Sequence, residues 1–159
     1  MQCYSLEEKP PVPPLLLQYP AQLYRRWHLP TDAGARGCMA RNLAYVIEEA
    51  PAWALVSDRD IWSPHENIST FNFFMKGCGF EVSDDGPLII HFDSNEYDKL
   101  YGVLSLACYY TWTIVIVDNL NNVLCVSHDE WISLQVNDSS RETEYLEVLN
   151  YYSHDAPIH

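Results

Sequence analysis

Positive charge is what this sequence lacks most: nine Lys and Arg stand against 22 Asp and Glu, a formal net charge of −13 over 159 residues. The shortage is uneven. Residues 1–41 hold Lys9, Arg25, Arg26, Arg36 and Arg41 against Glu7, Glu8 and Asp32, a net +2. Everything beyond holds Arg59, Lys76, Lys99 and Arg141 against 19 acids, a net −15. Such a surface repels nucleic-acid backbones and anionic membranes, so neither is expected as a partner. It attracts basic partners at enhanced rates, and it also serves a plainer end, keeping a protein in solution.

Other absences narrow the class further. There is no apolar run of the roughly 18 residues a membrane span needs, and "MQCYSLEEKPPVPPLLLQYP" has neither a basic leader nor a long apolar stretch. A cytoplasmic protein is expected. Cys3, Cys38, Cys78, Cys108 and Cys125 are odd in number and contain no C-x-x-C pair, which argues against a disulfide framework or a zinc ribbon and for reduced, mostly buried thiols. H-E-x-x-H, an EF-hand loop, G-x-S-x-G and G-K-[ST] are all missing, and "GCG" at 77–79 is not a dinucleotide fingerprint. No cofactor is expected.

What is present is core material: 48% hydrophobic and 13% aromatic residues in a chain of single-domain length. Residues 1–36 read as an irregular proline-rich arm packed on one globular domain, residues 37–159. Pro10, Pro11, Pro13 and Pro14 favour polyproline II and oppose a helix there, and Leu15, Leu16 and Leu17 can pin the arm to the domain. "AQLYRRWHLP" reads as a short turn of helix and "TDAGARG" as a loop.

Within the domain, residues 39–50 read as a helix, 53–58 as a strand, and "SDRDIWSPHEN" as a surface loop. Residues 68–76 follow as a helix capped by Asn67, then "FEV" and "LIIHFD" as strands about an Asp85-Gly86 turn. In "DSNEYDKLYGVLSLACYYT", Asp93 and Glu96 fit a capping box, and Leu100, Val103, Leu104, Ala107 and Cys108 form one helical face. A hairpin of 112–117 and 123–126 comes next. "DEWISLQV" either continues its second strand or begins another after a bend, and a helix capped at Ser139 or Ser140 closes the chain. The expected fold is α+β or α/β: one mainly antiparallel sheet of four to six strands with three to four packed helices.

Ser127, His128, Asp129 and Glu130 in a row invite a catalytic reading. Adjacent side chains on a strand point to opposite faces, so they form no triad unless the chain bends. A metal-dependent hydrolase is the alternative, with His91 and Asp93 on one face of a strand and His128 and Glu130 on one face of another. The remaining reading is an acidic, aromatic partner surface made of Asp58, Asp60, Trp62, Glu66, Asp84, Asp85, Asp129, Glu130 and Trp131. Tryptophan anchors interfaces and surrounding carboxylates steer a basic partner, whereas buried tryptophans beside solvated acids would mean nothing more than fold.

The helix and hairpin of residues 98–136, ending in "SHDEW", together with small size, acidity and the lack of catalytic motifs, resemble the immunity proteins of bacterial polymorphic toxin systems. The likeness is one of type, and no residue roles follow from it. It implies a partner: a cognate toxin domain, often a basic nuclease, whose active site or substrate surface is blocked.

Overall fold

The computed structural model describes residues 1–18, 25–47, 51–59, 64–82 and 86–153. In chain order the elements are β1 (Gln2–Ser5), a 3-10 turn (Leu6–Glu8), α1 (Pro14–Leu17), β2 (Arg25–His28), α2 (Ala33–Ile47) and β3 (Ala52–Ser57). Then come α3 (Pro64–Gly77), β4 (Leu88–Phe92), α4 (Tyr97–Tyr110), β5 (Thr113–Val117), β6 (Val123–Val126), β7 (Trp131–Gln135) and α5 (Glu142–Tyr152). The fold is α+β. Among the described residues seven strands form one sheet in the order β1-β4-β3-β5-β6-β7-β2, every neighbouring pair antiparallel.

Period-two alternation sorts the sheet into two apolar faces. Ala54 and Val56 of β3, Ile114 and Ile116 of β5, Leu124 and Val126 of β6, and Ile132 and Leu134 of β7 join the core beneath the helices, with Leu43, Val103, Leu104 and Leu149. The intervening Val115, Val117, Val123 and Cys125 form a second cluster on the opposite face with Ile89 and Leu16. Both faces of β5 are covered, which is why "TIVIV" is apolar throughout and fully buried.

The described part of residues 1–36 is more ordered than an irregular arm. β1 pairs with β4 and β2 with β7, so this segment supplies both edges of the sheet and raises the strand number above the expected range. "RRWH" is a strand rather than a helical turn because Trp27 is buried, its indole N–H donating to Asn150 Oδ1 at 3.0 Å. Pro14 does start a helix. At the first helical position its missing N–H costs nothing, and α1 then places Leu16 against the second face of the sheet.

Several boundaries move for identifiable reasons. α2 begins at Ala33 within the expected "TDAGARG" loop, because the Asp32 carboxylate accepts the Ala35 N–H at 2.8 Å and Arg36 turns inward. α3 begins at Pro64, so Asn67 lies within a helix it was expected to cap. "FEV" is not in a strand. At α4 half of the capping box forms: Glu96 Oε2 accepts the Asp93 N–H at 3.0 Å, without the reciprocal side-chain bond. Burial opposes the Glu96 charge, yet bonds from Lys99, the Met1 ammonium and the Asp93 N–H outweigh it and hold the carboxyl down at about 2.

Candidate functional site

Ser127 to Glu130 is the turn between β6 and β7. Ser127 N–H donates to Trp131 O at 2.9 Å and Glu130 N–H to Ser127 O at 3.1 Å, while Glu130 takes a φ of 63°. A turn whose last residue is left-handed is the common three-residue hairpin loop, and it supplies a bend between β6 and β7. Ser127 is 1% exposed, and its Oγ accepts the Asp129 N–H at 3.2 Å. It stabilises the turn and is not accessible as a nucleophile.

The turn delivers His128 to the end of the sheet where β3 stops and β5 begins. His128 Nδ1 lies 3.2 Å from Asp58 Oδ2 and 3.1 Å from Thr113 Oγ1, and its Nε2 lies 3.4 Å from Asp129 Oδ1. The imidazole is therefore bracketed by two carboxylates. Asp58 reaches it by leaving β3 with a φ of 57°, a left-handed conformation that Asp tolerates better than most residues. The geometry is not that of a hydrolase triad. The hydroxyl belongs to buried Thr113, and it shares one ring nitrogen with Asp58 rather than facing the other.

Glu130 is anchored on the opposite side of the turn. Its carbonyl accepts the Leu29 N–H at 2.8 Å, and its Oε1 accepts from Arg36 Nη2 at 2.8 Å. Arg36 is 9% exposed and donates also to Pro30 O and Cys108 O. Even so, Glu130 keeps 60% of its side chain in solvent and Asp129 67%. Trp131 is half-buried, its ring covered by the Arg26 guanidinium at 4.5 Å.

Of the nine residues expected to face a partner, Asp58, Asp129, Glu130 and Trp131 thus meet at or beside one turn. Asp60, Trp62, Asp84 and Asp85 lie outside the described residues, and of Glu66 only its place in α3 is described. The four residues of the metal alternative are not brought together. His91 is level with Trp53, Val117 and Val123 at one end of the sheet, while His128 adjoins Thr113, level with Ser57, at the other. Four residues along the strands is about 13 Å, and three strand spacings separate them laterally. Among the described residues no three or more His, Cys, Asp or Glu side chains are grouped to hold a metal ion.

Charge is sorted by depth as well as by sequence. Arg36 and Arg59 are buried, Arg59 at 1% exposure with its guanidinium over the Phe71 ring and donating to Gly86 O. Arg141 donates to Val46 O, Arg26 lies on Trp131, and Lys99 pairs with Glu96 at 2.6 Å. Among the described acids only Asp118 is buried. Lys9, Arg25, Arg41 and Lys76 are exposed.

Among the described residues, the exposed aromatic side chains stand on helices. Tyr45, Phe73, Tyr109 and Tyr151 project from α2, α3, α4 and α5. Tyr97 and Tyr101, four residues apart on α4, are half-buried and pack against the core. Arg36 and Thr113 carried no signal in the sequence, since both reach the site only through tertiary structure.

Protein-family models, curated proteins and solved structures offer no match to this chain. No described helix is long and apolar enough to cross a membrane.

Proposed function

We propose that this protein is a non-catalytic inhibitor of the immunity-protein kind, binding and neutralising a cognate basic toxin domain such as a nuclease. The observation that carries the reading is the distribution of charge: two of the nine Lys and Arg, Arg36 and Arg59, are buried, whereas Asp118 is the one buried acid among those whose burial is described. With two cations and one acid withdrawn from it, the surface is slightly more acidic than the count alone implies. Asp58, Asp129 and Glu130 at one sheet end give that surface a focus.

Mechanistically, carboxylates on a pre-formed turn occupy positions where a nuclease would hold substrate phosphates. Steering by the net field raises association toward about 10⁸ M⁻¹s⁻¹ at low salt, and close charge pairs then slow release. Glu130 is held in place by Arg36, so it fixes the turn as well as presenting charge. Asp129 is the freer of the two.

The test is capture of partners from native cells with the tagged protein, eluted on a salt gradient and compared with a D58N/D129N/E130Q variant. The expected result is a basic protein released only at raised salt and held at least tenfold more weakly by the variant. A partner with no basic surface, or equal retention by the variant, overturns the proposal.

A further inference from the structure

A second recess lies in the helical layer, away from the acidic turn. It occupies about 590 Å³ between α2, α5 and the start of α4, and is lined by Cys38, Arg41, Asn42, Tyr45, Tyr97 and Tyr152. That volume lies within the range of small-molecule sites. Among the described residues no carboxylate lines it. Its polar groups are a guanidinium, an amide, three phenols and a thiol.

The walls are held in place. Asn42 Nδ2 donates to the Tyr152 hydroxyl at 2.8 Å and to Cys38 O at 3.1 Å, which ties α5 to α2. Tyr97 donates its hydroxyl to Arg41 O at 3.3 Å, and its ring is backed by a near-parallel Tyr101 at 6.2 Å. Tyr45 stands edge-on to Tyr97, at 84° and 6.5 Å, exposing its own ring. Arg36, Lys99 and Arg141 each have an acidic neighbour. The Arg41 side chain, by contrast, makes no hydrogen bond or ion pair within the described structure.

We infer that this recess binds a small aromatic anion: a carboxylate or phosphate carried on an aromatic ring. The guanidinium offers a fork of donors matched to either anion, and the phenol rings offer stacking and edge contacts to the ring that bears it. In so acidic a protein, an arginine without an ion-pair partner is a place where an anion finds a favourable local potential. Neither half suffices. A bare anion gains no ring contact, and an uncharged ring leaves the guanidinium unsatisfied.

The full chain can be titrated with phenyl phosphate and benzoate, with inorganic phosphate and phenol as half-ligand controls, following backbone amides by two-dimensional NMR. Saturable shifts confined to the recess are expected for at least one complete probe, with at least tenfold weaker binding of both controls. R41Q should weaken the complete probe by about tenfold or more, and R41K should restore part of the loss, since both alter an exposed side chain and leave unfolding midpoints unchanged. Cys38, the exposed thiol among the five, gives a second readout: bound probe should slow its reaction with a disulfide reagent. No saturable shift at millimolar probe, inorganic phosphate binding as tightly as phenyl phosphate, or R41Q binding unchanged would each overturn the inference.

Discussion

Arg36 Nη2 donates to Glu130 Oε1 at 2.8 Å, joining residues 94 apart in sequence and tying the first turn of α2 to the hairpin that carries the acidic cluster. Arg36 is buried and serves two backbone carbonyls besides, whereas Glu130 is largely exposed and adopts a left-handed backbone. The two ends of the pair are therefore unequal. R36A should cost about 3 kcal/mol, because Pro30 O and Cys108 O lose a donor together with the packing of the side chain. E130A should cost only about 1 kcal/mol, since water replaces much of the pair. E130G loses the same pair but relieves the left-handed strain, and should recover about 1 kcal/mol relative to E130A. Urea unfolding of the three variants tests the order, and a Glu130 change as costly as R36A would contradict it.

Leu16 and Leu17 are adjacent on α1 and have opposite fates: Leu16 is fully buried against Val115, Val117 and Ile89, while Leu17 is exposed. L16A should destabilise by about 2–4 kcal/mol through lost burial and the cavity left behind. L17A should change stability by less than about 0.5 kcal/mol. Equal effects in chemical denaturation would mean that the amino-terminal segment does not seal that face in solution.

What the sequence made legible follows from local pattern. The Leu100–Val103–Leu104–Ala107 face announced α4, and the β-branched run of 113–117 announced β5. β2 was hidden because only Trp27 of its four residues faces the core, and its partner strand lies more than a hundred residues away. α2 was shortened in prospect by two glycines, since the Asp32 cap and the inward Arg36 are tertiary facts. The convergence of Asp58 on His128, and the separation of His91 from it, both depend on the strand order β4-β3-β5-β6. No spacing along the chain encodes that order.

Asp118 is a buried carboxylate with each oxygen engaged. Oδ1 accepts the N–H groups of Leu120 and Asn122, and Oδ2 accepts Asn122 Nδ2 and the Tyr145 hydroxyl at 3.1 Å. Asn122 Oδ1 in turn accepts the N–H groups of Asn137 and Asp138, so one network ties the β5–β6 turn to the loop before α5. Y145F removes one bond of four and should cost about 1 kcal/mol, whereas D118A strips the network and should cost about 3 kcal/mol or more. Thermal unfolding with equal losses for the two variants would show that the phenol, not the turn, is the critical contact.

The thiols set a pH limit. Burial pushes Cys108 and Cys125 up to about 12 from an ordinary 9.0, the Arg36 charge opposing this at Cys108 and a bond with Ser133 opposing it at Cys125. A thiol held neutral in the folded chain contributes stability that is complete below pH 9, where both states are protonated. It is lost as pH rises toward 12, because the unfolded chain gives up its protons first. Each such thiol steepens the alkaline limb by up to about 1.4 kcal/mol per pH unit. Burial first, and the neighbouring Asp118 carboxylate second, likewise push the Tyr145 phenol up, adding to the fall above pH 10. A C108A/C125A variant should start less stable, since both side chains are packed in the core, but lose stability more slowly between pH 9 and 11. Denaturant midpoints across that interval decide the point: parallel slopes for variant and parent would mean that the two thiols ionise as readily in the folded chain as in the unfolded one.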